Sequence, residues 1–178
     1  AVRDDNKLIV PLVLALSFLF VTLFYGSLHA GWLMVLPMLF ATVLTYAYMG
    51  VKGIGINVNT VPVIAVGIGV GIDYAIYMMN RIREDMANLG DLHRAVTRAM
   101  ATTGFAVTFT AATLIAGVAM WVVLSDLRFQ SDSALLLTVM LVLNAVAAMF
   151  LVPAWVVVFK PAFITRARLD EDGVVQVD

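Results

Sequence analysis

Five long apolar stretches constrain the fold of this chain more than any other feature of its sequence. Each is close to the roughly 20 residues that a helix needs to cross the hydrocarbon core of a bilayer. Backbone amides in hydrocarbon must be hydrogen-bonded within a helix or a closed barrel, and these stretches lack the alternating pattern of barrel strands. We therefore predict an all-α, polytopic membrane bundle of about five transmembrane helices, at residues 8–25, 31–50, 61–80, 102–124 and 134–159.

Composition supports a membrane protein and excludes several other classes. Of the 178 residues, 62% are hydrophobic, against about 45–50% in an ordinary soluble domain. The net charge of -1 gives no sign of a nucleic-acid partner. Cysteine is absent, and no span offers a Ser-His pair, a paired-His metal site or two facing carboxylates. We expect the lipid bilayer as a partner, and no enzyme activity, cofactor, metal site or nucleic-acid binding.

The polar segments suggest how the chain is organised. It begins with Ala1 rather than Met, and charged residues precede the first span without a signal-peptide layout. We therefore expect a fragment in which residues 1–7 end a missing domain and 8–165 form the five-helix domain. Residues 91–100 have the apolar spacing of a short surface helix, and 166–178 form a tail.

Basic residues are distributed unequally between the two sides of the membrane. One side holds Arg3, Lys7, Lys52 and Arg128, and the other holds Arg81, Arg83, Arg94, Arg98, Lys160, Arg166 and Arg168. Lys and Arg accumulate in cytoplasmic loops of membrane proteins. The C-terminus is therefore predicted to be cytoplasmic.

Asp73 is the only residue well inside a predicted span that carries a formal charge. An aspartate near the centre of a membrane helix costs about 2.5–3.5 kcal/mol, so such residues are rare unless they have a function. Proton relay is the function that we favour. A structural hydrogen bond between helices and a sodium ligand are the alternatives.

The neighbours of Asp73 extend a polar stripe along the third span. Tyr77 and Asn80 follow at i+4 and i+7 and share its face, whereas Tyr74 lies on the adjacent face. Tyrosines also pack well between helices, and Asn80 also suits the membrane interface, so a purely structural role stays open for each.

Two further patterns concern contacts between helices. Gly67, Gly71 and Ala75 recur every four residues, which is the arrangement that lets two membrane helices approach closely. Thr110 and Thr113 lie deepest in the fourth span and are candidates for hydrogen bonds to the third span. Alternatively, each hydroxyl forms a hydrogen bond with the backbone of its own helix.

Residues 57–84, with the pair Asp73-Tyr74, resemble the fourth or tenth transmembrane helix of resistance-nodulation-division (RND) exporters. The pair is most similar to the MmpL-like and hydrophobe/amphiphile efflux branches. The order of the five spans, with a basic segment after the third and a threonine-rich fourth, matches helices two to six or eight to twelve of that superfamily. The resemblance therefore covers nearly the whole chain and implies one transmembrane half.

The resemblance also implies a function. RND proteins use the proton-motive force to export hydrophobic or amphiphilic compounds, such as lipids or drugs, across the bacterial inner membrane. Carried over to this chain, Asp73, Tyr74 and Thr110 are expected in the proton relay. No Lys or Arg lies inside a span, so a cationic partner for Asp73 would come from the missing half.

The expected partners are the other transmembrane half and a periplasmic domain of the same transporter. A homo-oligomer such as a trimer and a periplasmic adaptor stay open as further partners. The alternative function is a non-transporting module of the same superfamily, for sensing or for protein translocation.

Overall fold

The computed structural model describes residues 2–55, 60–124, 128–169 and 175–177. Five of its helices are long and apolar enough to cross a membrane, so the predicted all-α polytopic bundle is confirmed. The helices are α1 (Val2–Tyr25), α2 (Leu28–Lys52), α3 (Thr60–Leu89), α4 (Leu92–Ala99), α5 (Phe105–Leu124), α6 (Arg128–Phe159) and α7 (Ala162–Thr165). A π-helical segment, Met100–Gly104, joins α4 to α5 without a break.

Local signals explain where several helices begin and end. Gly53 ends α2 in the left-handed conformation, with φ of 66°, which glycine adopts without a steric penalty. Gly90 has a similar φ of 65° and separates α3 from α4. Asp91 is the N-cap of α4, and its side chain accepts hydrogen bonds from the amides of His93 at 2.9 Å and Arg94 at 3.2 Å.

The core of the bundle is built around α3 and α6, which form its most extensive helix pair. α2 packs against both, α1 packs against α2 and α3, and α5 packs mainly against α6. α5 is only slightly enclosed, because Val107 and Ala111 are its only buried residues. Much of its surface is therefore left for lipid or for another protein surface.

The chain beyond residue 165 contains two short strands. A short strand β1 (Ala167–Leu169) pairs antiparallel with β2 (Val175–Val177), and β1 lies against α3. Residues 170–174 and 178, which the sequence analysis includes in its predicted tail, lie outside the described residues.

At one end of the bundle, which we call the basic end, the C-terminal part of α3 meets α4 and α7. Its cationic side chains include Arg81, Arg94, Arg98, Lys160 and Arg166. The amphipathic helix predicted near 91–100 corresponds to α4, whose Val96 and Ala99 are buried. Instead of ending there, the helix continues through the π-helical segment into the membrane span.

Candidate functional site

The central helix α3 has two unlike faces. Gly67, Ile68, Gly71 and Ala75 are buried within the bundle. The opposite face holds an exposed row that we call the open stripe, formed by Val66, Asp73, Tyr77, Asn80 and Glu84. These positions are separated by seven, four, three and four residues, so they share one side of an α-helix. The polar residues predicted to share a face therefore lie on the side of α3 that the bundle leaves uncovered.

Asp73 is exposed and lies on the wall of a groove between α1 and α3. The groove has a volume of about 440 Å³ and an almost wholly apolar lining. Besides Asp73, the lining consists of Leu16, Ser17, Leu19, Phe20, Leu23, Ile72 and Ile76. Among the described residues, the Asp73 carboxylate has no ion-pair partner. A charged carboxylate is costly in apolar surroundings.

Tyr74 points to the face of α3 next to that of Asp73, because successive residues of a helix are rotated by roughly 100°. Its side chain is 2% exposed and packs in a cluster with Val107 and Ala111 of α5 and Ala148 of α6. The buried hydroxyl has no hydrogen-bond partner among the described residues. An unsatisfied buried hydroxyl costs about 1–3 kcal/mol. A water molecule or another polar group beside this oxygen would remove that cost.

A second cavity, of about 460 Å³, lies between α3 and α5. It brings together Tyr74, Tyr77, Asn80 and Thr110 of the predicted site and extends to the basic end. The remaining lining residues are Arg81, Glu84, Thr103, Ala106 and Val107. The predicted residues are thus divided between two spaces, with Asp73 in the groove beside α1 and the other four in the cavity beside α5.

The threonines of the fourth span have different surroundings. Thr110 is exposed and lines the cavity. Thr113 donates a hydrogen bond to the backbone oxygen of Phe109 at 2.9 Å. This is the local alternative to a bond across to α3, and threonines in membrane helices often adopt it.

The glycine positions lie at the contact between α3 and α6. Any Cβ on Gly67 would meet the side chain of Met140, and one on Gly71 would lie 2.5 Å from the side-chain oxygen of Asn144. Ala75 is fully buried in the main core cluster. The two helices therefore approach at a distance that side chains at positions 67 and 71 would prevent.

Asn144 is a polar residue that the sequence analysis missed. It is 2% exposed, and its Nδ2 donates a hydrogen bond of 2.7 Å to the backbone oxygen of Gly67. The signal was present, because Asn144 is the single carboxamide in the predicted span 134–159. The bond fixes the position of α6 along α3 close to Asp73.

Another hydrogen bond joins α1 to the open stripe. The hydroxyl of Tyr25, at the end of α1, donates to the side-chain oxygen of Asn80. Asn80 therefore has a structural contact as well as a place on the cavity wall. The contact holds α1 against α3 on the basic-end side of Asp73.

A cluster of charges connects α3 with α4 at the basic end. Asp85 is 1% exposed and lies between Arg81, whose Nε is 3.1 Å away, and Arg98, whose Nε is 3.6 Å away. Asp91 lies outside the spans, and hydrogen bonds from the backbone amides of Arg94 and His93 hold the pKa of its carboxyl below the ordinary value.

Metal binding has no support in the part of the chain that the structure describes. Within those ranges, no group of three or more His, Cys, Asp or Glu side chains converges in a way that could hold an ion.

The five spans around a central helix, with one intramembrane carboxylate on its uncovered face, define a multi-pass integral membrane protein. The family model of the MMPL family matches residues 1–171. The chain belongs to the MMPL family. This membership indicates a transporter of the RND type, in a family of transporters rather than enzymes. Neither a curated protein nor a solved structure gives a significant match to the chain.

Proposed function

We propose that the chain is one transmembrane half of an exporter driven by the proton-motive force, with Asp73 in its proton relay. The exporter acts on hydrophobic or amphiphilic compounds, such as lipids or drugs, in the bacterial inner membrane, and the basic end faces the cytoplasm. The observation that carries the proposal is the location of Asp73, the sole charge within the five predicted spans, on the uncovered face of the central helix.

Protonation of Asp73 changes the energy of that face. The charged carboxylate costs about 2.5–3.5 kcal/mol near the centre of a membrane helix. A proton from the outer side removes this cost and lets the open stripe enter a more apolar contact. Release of the proton towards the cytoplasm restores the charge and reverses the change. The membrane potential adds about 2.3 kcal/mol per elementary charge for each 100 mV.

The cavity between α3 and α5 supports a route for protons to the cytoplasmic side. It reaches from Tyr74 and Thr110 to Arg81 and Glu84 at the basic end. The unpartnered hydroxyl of Tyr74 needs a hydrogen-bonding neighbour, and water in this cavity would provide one. Tyr74 and Thr110 then hold the water of this route, while Asp73 itself lies in the neighbouring groove.

The open stripe also supports the proposed partners. A polar row on the surface of a membrane bundle is costly against lipid, and polar residues in spans usually face a bundle interior. The other transmembrane half of the transporter covers the stripe in this proposal and provides the cationic partner of Asp73. A periplasmic domain of the same protein, a periplasmic adaptor and assembly into a trimer complete the exporter.

The test is Asp73→Asn in the full-length protein, with Asp132→Asn as the matched control. Asp132 lies before the predicted span 134–159, so the same chemical change is made away from the bilayer centre. Export of a hydrophobic dye such as Nile red from energised cells is measured with and without a proton uncoupler, at equal amounts of protein in the membrane.

We expect Asp73→Asn to abolish the uncoupler-sensitive export and Asp132→Asn to retain it. Export at the parental rate with unchanged uncoupler sensitivity in Asp73→Asn would show that Asp73 is structural and that the proton path runs elsewhere.

A further inference from the structure

We propose that α4 and the beginning of α5 form a binding site for an anionic phospholipid, whose phosphate is held by Arg94 and Arg98. The site lies at the basic end and is separate from Asp73 and the cavity between α3 and α5. Its ligand is a lipid of the surrounding bilayer.

The headgroup part of the site is a groove of about 470 Å³ between the end of α3 and α4. Leu89 of α3 forms one wall. The other wall contains His93, Arg94, Thr97, Arg98 and Ala101. The groove therefore combines two guanidinium groups and a histidine with apolar surface at both edges.

The two arginines are placed to bind one phosphate. Arg94 and Arg98 are four residues apart, so they lie on the same face of the helix, one turn from each other. Their side chains are 81% and 54% exposed. Guanidinium groups bind phosphate through two parallel N–H bonds, which is a strong and directional interaction.

The carboxylates near the two arginines leave most of the guanidinium N–H groups available for a phosphate. Asp91 is 4.0 Å from the Nε of Arg94, and Asp85 is 3.6 Å from the Nε of Arg98. Both contacts involve Nε and are longer than a hydrogen bond. Because Asp85 is buried, it also restrains Arg98 in the groove.

Exposed apolar side chains continue from the groove towards the bilayer. Phe105 and Phe109, in the first two turns of α5, are 73% and 68% exposed. Ala101, between Arg98 and Phe105, is exposed as well. A phosphate-binding pair above exposed aromatic rings matches a phospholipid, with its charged head and its acyl chain, better than it matches a soluble phosphate.

The length of the helix places the arginines at the depth of lipid headgroups. From Leu92 to Leu124 the helix has 33 residues, or about 50 Å at 1.5 Å per residue. This exceeds the hydrocarbon core of about 30 Å. The polar α4 therefore extends beyond the hydrocarbon at the basic end, where basic pockets between helices suit anionic headgroups.

The experiment uses the full-length protein, carrying Phe105→Trp, in bilayers that contain a fixed fraction of phospholipid with brominated acyl chains. Bromine quenches tryptophan fluorescence on contact, and the signal of the native tryptophans is subtracted with the parental protein. Brominated phosphatidylglycerol is compared with brominated phosphatidylcholine of identical chains. The ratio of quenching gives the preference of the site for the anionic headgroup.

We expect a preference for phosphatidylglycerol of about five-fold or more, since one basic residue near an anionic surface contributes about that factor. Arg94→Gln should reduce the preference at least about three-fold. The matched control is Lys160→Gln, which removes an exposed cation at the same end but outside the groove. This control should leave the preference within about 1.5-fold of the parental value.

Three outcomes would overturn the proposal. The first is equal quenching by the two lipids in the parental background. The second is an equal loss of the preference for phosphatidylglycerol in Arg94→Gln and Lys160→Gln. This would mean that the overall positive charge of the basic end attracts the lipid without a defined site. The third is complete loss of the preference when millimolar inorganic phosphate is added, which would make soluble phosphate the ligand.

Discussion

Gly71→Ala tests how closely α3 and α6 are joined beside Asp73. A Cβ at position 71 would lie 2.5 Å from Asn144 Oδ1 and 2.6 Å from its Cγ. The Asn144 side chain cannot simply turn away, because it is buried and its Nδ2 is bonded to the Gly67 oxygen at 2.7 Å. The added methyl group must therefore separate the helices or break this hydrogen bond.

The expected cost follows from three contributions. Forcing one extra carbon into a well-packed contact costs about 1–3 kcal/mol. Loss of a hydrogen bond between membrane helices costs about 0.6 kcal/mol on average. The higher helix propensity of alanine returns up to about 1 kcal/mol. We expect Gly71→Ala to lower the free energy of unfolding by about 1–2 kcal/mol.

Gly69→Ala is a matched control within the same helix. No atom outside the helix lies within 4 Å of a Cβ at position 69. This substitution therefore changes only helix propensity, and we expect it to be neutral or stabilising by up to about 1 kcal/mol.

The assay is denaturant-driven unfolding of the full-length protein in mixed micelles, with the free energy taken by linear extrapolation. A third variant, Asn144→Ala, removes the obstacle, so adding Gly71→Ala to it should cost no more than Gly69→Ala does. A difference between Gly71→Ala and Gly69→Ala below about 0.5 kcal/mol would refute the close contact. Strict additivity of the changes that Gly71→Ala and Asn144→Ala make in the free energy of unfolding would refute it as well.

Two further predictions concern the basic end. Asp85→Asn removes the charge that Arg81 and Arg98 share. We expect a loss of about 1–2 kcal/mol in the same unfolding assay, because the charged hydrogen bond from Arg81 and the ion pair with Arg98 are weakened while both arginines keep partial access to solvent. An unchanged free energy of unfolding would contradict the structural role of Asp85. Hydrogen bonds from the amides of Arg94 and His93 lower the pKa of Asp91 below 3.8, so its capping contribution should be fully present above that pH and be lost as the pH falls through the lowered value. The protection factors of those two amides against hydrogen exchange should fall over that range in the parental protein but stay constant in Asp91→Asn, which still caps the helix. The same pH response in both would contradict this.

The fold was predictable because hydropathy marks the spans directly. All five predicted spans lie within helices of the structure. The helix ends were less predictable: α3 continues to Leu89, nine residues beyond the predicted 80. Hydropathy reports only where the apolar part of a helix stops. The backbone hydrogen bonds continue through polar residues until glycine permits a change of direction, as Gly90 does here.

The candidate site was predictable in its residue types but not in its arrangement. Asp73 was recognisable because an intramembrane charge is rare, and helical spacing places Tyr77 on its face. Periodicity does not encode which neighbouring helix covers each face. The division between a groove beside α1 and a cavity beside α5 therefore had no signal in the sequence, and neither did the pairing of Asn144 with the backbone of Gly67.

The two faces of α3 restrict how a proton on Asp73 could act at a distance. On the buried face, Gly67 and Gly71 admit Met140 and Asn144 of α6, so α3 cannot slide along α6 without breaking a buried hydrogen bond. Densely packed contacts of this kind transmit displacement rather than absorb it. If Asp73 carries the coupling proton, α3 and α6 therefore respond as one unit. The change is then expressed where packing is looser, at the apolar groove beside α1 and the polar cavity beside α5.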